Sequence, residues 1–273
     1  MVAPNGAHKT KADHPNLPVT ADELAAETVR CIEAGASALH MHVRDENEQH
    51  VLDAKLYLDA LAKIRPLAGE TILQITTEAV GRFLPDEQMQ CVHAVRPEAV
   101  SIALKELIPD RNAEATAREF LTGLEENNCS VQFICYSADE VKRFTDLMAR
   151  GTIPQKKPFL LFVLGRYTQG QQSMPGDLDP FVEIVSDSEI TWAMCAFGKQ
   201  ECACALHAAQ LGGHVRIGFE NNMLLPNGSI ATSNATLINT TVKELGRHGF
   251  APMSAAKARR LLGLPQAASL SAE

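Results

Sequence analysis

The feature that most constrains this chain is a rhythm. Short apolar or β-branched runs alternate with longer amphipathic stretches at intervals of about 30 residues, the size of one strand-plus-helix unit. The runs fall at residues 38–43, 71–76, 99–102, 130–135, 158–164, 191–196 and 214–218, and residues 1–3 offer the stub of an eighth. Strands joined through helices pair in parallel, and eight such units in one uninterrupted chain close most economically into a single (β/α)8 barrel. A doubly wound open sheet is the competitor. It would carry G-x-G-x-x-G after the first strand, and no such stretch follows here. A length of 273 residues suits one barrel over residues 1–273, with a short helical tail near 254–264.

Helix punctuation agrees with the rhythm. Thr20 with Glu23, and Ser137 with Glu140, have capping-box spacing, in which the hydroxyl accepts an N–H and the carboxylate reaches back to the cap. Asp53 and Asn234 are expected as N-caps of two further helices. Gly35, Gly151, Gly212 and Gly213 stand where helices should stop before the next strand.

Composition excludes several partners. With 45% hydrophobic and 21% charged residues the chain can bury a core without metal or disulfide staples. A formal net charge of −8, with no stripe of Lys or Arg, argues against nucleic acid and anionic membranes. The longest apolar run, residues 158–164, is far short of a membrane span, and residues 1–6 lack the basic-then-apolar pattern of a secretion signal. Seven scattered Cys, the closest being Cys202 and Cys204, give no C-x-x-C unit, so reduced thiols and a cytoplasmic protein are expected.

A barrel places its chemistry at the C-terminal ends of its strands. The run 38–43 delivers His40 and His42, two apart and on one face, within reach of a common metal ion. A lone buried His is more often a hydrogen-bonded core residue, but two at a strand end are costly to bury without a partner. The last strand leads into Glu220, the natural third ligand of a His-His-Glu set with an open position, although a surface-loop Glu is the plain alternative. If the extended parity persists past Gly218, Arg216 shares its inward face and either pairs with a carboxylate or binds a substrate acid group. Thr76, Thr77 and Glu78 end another strand, and Ser101, Lys105 and Glu106 end or follow the next. Hydroxyls there suit a substrate oxygen and the glutamates suit proton transfer, each a weak signal by itself. Arg166 lies in a glycine-flanked loop, residues 165–170, that offers a cation to phosphates without any Walker pattern. Nucleophile readings are poor: no G-x-S-x-G occurs, and Cys135 has no evident His to activate it.

Taken together, several stretches resemble the beta-keto acid cleavage enzyme family: Asn5, Gly6 and Ala7; residues 12–18; residues 40–45 around the His pair; Gln74 to Thr77; residues 162–165; and residues 212–222, which include Arg216 and Glu220. They are spread over nearly the whole chain. The resemblance implies a zinc-dependent TIM barrel, homotetrameric, that condenses a beta-keto acid with acetyl-CoA to give acetoacetate and a new acyl-CoA. By position it makes His40, His42 and Glu220 the Zn2+ ligands, Thr76 and Ser101 substrate-holding hydroxyls, and Arg216 the support of the catalytic base.

Two positions depart from the founding member of that family. Its base is an aspartate where this chain has Asn221, and an amide cannot accept that proton. Glu78 and Glu106 become the candidate substitutes. It also carries a carboxylate, near its substrate's amino group, where this chain has His8, so the keto acid is expected to lack that amine. A zinc hydrolase of the amidohydrolase type, acting without CoA, is the nearest rival. It needs further His ligands, and the strand ends at Cys135 and Gly165 offer none. A metal-sensing binding protein is the rival from outside the enzymes.

Overall fold

The computed structural model describes residues 1–267. In chain order its strands are β1 (Ala38–Met41), β2 (Val43–Arg44), β3 (His50–Val51), β4 (Ile72–Thr76), β5 (Ala99–Ala103), β6 (Ser130–Cys135), β7 (Phe159–Leu164), β8 (Thr191–Ala196) and β9 (His214–Val215). Its helices are α1 (Ala21–Glu33), α2 (Ala54–Ala68), α3 (Pro85–Val95), α4 (Leu104–Leu107), α5 (Glu114–Glu126), α6 (Ala138–Ala149), α7 (Asp179–Val185), α8 (Glu201–Gln210), α9 (Asn234–Arg247) and α10 (Ala255–Leu261).

Seven strands pair in parallel in the order β1-β4-β5-β6-β7-β8-β9. The seam between the two outer strands is filled by the first residues of the chain. Val2 bridges Leu39 on one side and Ile217 on the other. Its N–H donates to Ala38 O (2.8 Å) and its carbonyl accepts from His40 N (2.8 Å), while Ala3 N donates to Ile217 O (2.9 Å). Residues 1–3 are therefore the eighth stave of a closed (β/α)8 barrel. Closure removes the unpaired strand edges an open sheet would leave.

Strands buried on both faces read as continuous apolar runs. One set of side chains, including Leu39, Met41, Leu73, Ile75, Val100 and Ile102, packs under the helices. The other set points inward, and from β5 to β8 it includes Ala103, Ile134, Phe159, Leu161, Val163, Ala193 and Cys195. At the N-terminal end of the barrel Ala38, Ile72 and Ala99 are covered by Ala258 and Leu264 of α10 and the turn after it. The expected tail at 254–264 is thus a plug, fixed by Arg259, which donates to Glu98 Oε2 at 2.6 Å.

Four expectations need correction. The run 38–43 divides: β1 stops at Met41, and Val43 and Arg44 leave the barrel to pair antiparallel with Val51 and His50. The last strand also stops early, at Val215, because Gly218 at φ 143° turns the chain so close to Ala3 that no Cβ would fit. Asn234 is not an N-cap. Ser233 caps α9, which frees the Asn234 side chain to accept from Phe219 N and donate to Pro4 O. At α6, Ser137 caps Glu140 N, but the Glu140 carboxylate accepts from Tyr136 N and the reciprocal box does not form. The Thr20 box is complete.

Candidate active site

The C-terminal mouth of the barrel opens onto a cavity of about 280 Å3 whose lining includes His8, Lys9, His40, Thr76, Glu78, Tyr136, Arg166, Arg216 and Glu220. His40 and His42 hang from the end of β1, and Glu220 from the turn after Gly218. The turn is pinned by Glu220 N donating to Ala3 O at 3.1 Å, and Gly6 leaves the room its side chain needs, since a Cβ there would lie 2.5 Å from Glu220 Cγ.

The tautomers of both histidines follow from their outer bonds. His40 Nδ1 faces Gln74 Oε1 at 2.8 Å, so Nδ1 carries the proton and Nε2 a lone pair. His50, on β3, donates from Nε2 to the Glu78 carbonyl (2.9 Å) and so presents Nδ1 as an acceptor. His42 Nδ1 lies 3.3 Å from it and donates, leaving its own Nε2 bare. The ribbon that breaks β1 thus supplies the residue that orients His42. Burial lowers the pKa of His40, and burial with neighbouring His42 takes His50 down to about 3, so both rings stay neutral.

Three bare acceptors then converge. His40 Nε2 and His42 Nε2 are 3.1 Å apart, and Glu220 Oε2 is 3.3 and 3.4 Å from them. Glu220 Oε2 is buried without a hydrogen-bond partner. Burial opposes its ionisation, but Arg216, at 2.7 Å from Oε1, and His40 hold its carboxyl well below the usual range. Lone pairs do not gather at such distances without a cation. The edge of a tetrahedron with bonds of about 2.0–2.1 Å is roughly 3.3–3.4 Å, close to the 3.1–3.4 Å observed, so the three residues fit Zn2+ with one position left open. Among the described residues this is the one group of three His, Cys, Asp or Glu donors so gathered.

Residues 1–264 match the family described as beta-keto acid cleavage enzyme. This chain belongs to the beta-keto acid cleavage enzyme family. It is 28% identical over 269 residues to the 3-keto-5-aminohexanoate cleavage enzyme of Fusobacterium nucleatum, covering 95% of each chain. It is 26% identical to the 3-oxoadipate:acetyl-CoA acetyltransferase of Cupriavidus necator, over 97% of this chain and 94% of that one. Among solved structures, apo ObcA superposes with a TM-score of 0.76 at 16% identity, over 92% of this chain and 66% of that longer one, a likeness of fold. Family membership decides against the amidohydrolase reading and the metal sensor.

Within this family member the other expected residues separate into those at the cavity and those away from it. Glu78 is there. Its Oε1 is 3.4 Å from His8 Nε2 and 3.6 Å from Arg166, and its Oε2 is 3.8 Å from His42 Nε2. Burial would favour the neutral acid, but His8, His42 and Arg166 outweigh it and bring the carboxyl down to about 2. The negative charge expected to be missing at His8 is therefore present beside it, on Glu78 in the loop after β4. Arg166 stacks its guanidinium 5.3 Å from the Phe197 ring and spends its charge on Glu78 rather than standing free in the loop. Thr76 lines the cavity, and its hydroxyl accepts from Glu78 N at 3.1 Å.

Glu106, by contrast, turns away. Its Oε2 accepts from Ala79 N (3.0 Å) and Gln88 Nε2 (3.1 Å), a loop-fixing role, and burial raises its pKa. Asn221 and Ser101 are buried beneath the surface and line no part of the cavity. The turn after Gly218, replacing the extended parity expected there, aims Glu220 inward without Asn221. Arg216 meets Glu220 through that turn. Its Nη2 is taken, while Nε and Nη1 remain without a partner.

His50, Gln74, Lys9 and Tyr136 were not among the expected residues. Gln74 was within reach, since it shares inward parity with Thr76 two residues on. Lys9, which donates to the Glu220 carbonyl at 2.7 Å, and Tyr136 come from loops with no periodicity to read.

Proposed function

We propose that this protein condenses a beta-keto acid with acetyl-CoA, releasing acetoacetate and a new acyl-CoA, at a Zn2+ ion held by His40, His42 and Glu220. The observation that carries this is the triad of bare acceptors in a member of this family. The bond between the α-carbon and the substrate's acyl carbon breaks, one between the α-carbon and the acetyl carbon forms, and the CoA thiolate passes between the two acyl groups, with no net oxidation. Zinc in this seat supplies Lewis acidity, which lowers the cost of removing a proton next to a ketone.

The chain's own groups do the rest. Arg216 lines the cavity with two unpartnered donors, Nε and Nη1, suited to the carboxylate of the keto acid, while its Nη2 keeps Glu220 ionised. Glu78 replaces the proton acceptor that Asn221 is not. It is ionised, faces the cavity, and has Oε2 on the side of the His pair. His8 and Arg166 steady that carboxylate before the substrate enters. Thr76 holds the Glu78 backbone in place, and Arg166, at the mouth, is the first cation an acyl-CoA meets. The seven free thiols suit a cytoplasmic enzyme, and the homotetramer that the family resemblance implies is read by light scattering.

Incubation with beta-keto acids, with and without acetyl-CoA, tests the reaction: acetoacetate should form only when both are present, and CoA-independent hydrolysis overturns the reading. Glu78→Gln should lose about 10²–10⁴ in kcat while retaining stoichiometric zinc. Full activity in that variant removes Glu78 from the proton transfer.

A further inference from the structure

The cavity has two unlike halves. From β9 through the N-terminal loop to β1 and β4 it is charged and polar: Arg216, Glu220, Lys9, His8, His40 and Glu78. From β5 to β8 the strand ends are apolar, and Tyr136, Arg166 and Gln171, from the loops after β6 and β7, complete the lining there. Ala103, Ile134 and Val163, followed by Phe197, occupy successive strand ends, and all four belong to one buried cluster.

In the charged half nearly every group is already engaged. Glu220 faces Arg216, and Glu78 faces His8 and Arg166. Lys9 donates to the Glu220 carbonyl. Among the buried atoms of the cavity-lining residues, those without a partner are Glu220 Oε2, in the metal seat, and Arg216 Nε and Nη1; the seat and these donors suit the keto oxygen and the carboxylate of a keto acid. What remains of the substrate is its acyl chain, and what remains of the cavity is the apolar wall.

Resting on the acetyl-transfer reading above, we infer that the keto acid taken by this site carries an uncharged aliphatic acyl chain, seated on Ala103, Ile134, Val163 and Phe197. A second carboxylate on that chain would face Glu78 and Glu220 or lie against hydrocarbon unless it drew Arg166 from Glu78 or Lys9 from the Glu220 carbonyl. An ammonium would have to displace Arg166 or His8 from Glu78 to find a counter-charge. Either carries an ion into a buried site without a free partner, a heavier penalty than the tenfold per 1.4 kcal/mol that separates close analogues.

Three keto acids with equal main chains make the test: 3-oxohexanoate, 3-oxoadipate and 3-keto-5-aminohexanoate, each assayed for acetoacetate formation with acetyl-CoA and the zinc-loaded protein. The expected result is a kcat/KM for 3-oxohexanoate at least about tenfold above both charged acids. A charged acid turned over as well as or better than 3-oxohexanoate overturns the inference and leaves acetyl transfer intact. No turnover of any of the three overturns the acetyl-transfer reading, and the inference with it. Ile134→Ala should raise KM for 3-oxohexanoate about tenfold with zinc content held, kinetics being taken per folded molecule because Ile134 also packs in the buried cluster of the barrel interior. An unchanged KM removes Ile134 from the acyl seat.

Discussion

The two ends of this barrel differ in kind, and the difference shows what marks a site. The N-terminal end bears the larger cavity, about 400 Å3, lined by residues such as Ile72, Phe159, Ile238, Leu245 and Leu262, with α10 beside it. The mouth cavity is smaller, about 280 Å3. Yet the mouth holds three bare acceptors within 3.4 Å, an arginine with unpartnered donors and a carboxyl drawn down to about 2, whereas the floor is mostly apolar and its charged groups are partnered, the Met1 amino group by Val215 O and Arg259 by Glu98. Unbalanced polar groups, which cost stability, identify the working end better than volume does.

That contrast is open to attack from both sides. At the mouth, His40→Ala should abolish stoichiometric zinc and lower kcat/KM by about 10³ or more, with the fold retained in circular dichroism. Zinc retained at one per chain by elemental analysis overturns the ligand assignment. At the floor, Leu264→Ala, buried against Ala38 and Ile72, should cost about 2–5 kcal/mol in chemical denaturation while kcat/KM per folded molecule stays unchanged. A drop in kcat/KM would mean that the plug reaches the chemistry.

A smaller effect is expected where the mouth loop is tied to α1. Burial favours the neutral form of Glu23, but Lys11, at 2.7 Å, and the Thr20 and Val19 N–H groups prevail and take its carboxyl from the usual 4.5 to about 2. A folded pKa below the unfolded one stabilises above pH 4.5 and loses that contribution as pH falls towards 2. Glu23→Gln should lower Tm slightly at pH 7, by an effect of about 1 kcal/mol, and the gap to the parent should close between pH 4.5 and 2. A gap that persists at the acid end would assign the loss to the cap geometry alone.

The barrel was legible because its signal is repetitive: β1 and β4 to β7 are runs buried on both faces, and even the stub at residues 1–3 followed from counting. The gathering of His40, His42 and Glu220 was legible too, since the two histidines share a strand face and Glu220 follows the last strand. What surrounds the triad was not. His50 reaches His42 only because a two-residue ribbon turns the chain back after Arg44, and no period runs through residues 42–51. Glu78 and Glu106 are alike in sequence, both glutamates just beyond strand ends. Backbone N–H groups decide between them, since Ala79 takes Glu106 out of the cavity. Asn221 fails as a cavity residue for a similar local reason, the turn made by Gly218. Periodicity locates elements, whereas side-chain direction beyond a strand end depends on turns of one or two residues.

The seam closed by Val2 has a kinetic meaning. His40 lies on one edge of that seam and Glu220 just beyond the other, 180 positions later in the chain, and the strand between them is a single bridging residue. An ion held by His40 and Glu220 would rivet the two edges together. The first three residues complete the cylinder, and a metal bound across the seam would slow its opening for as long as it stayed.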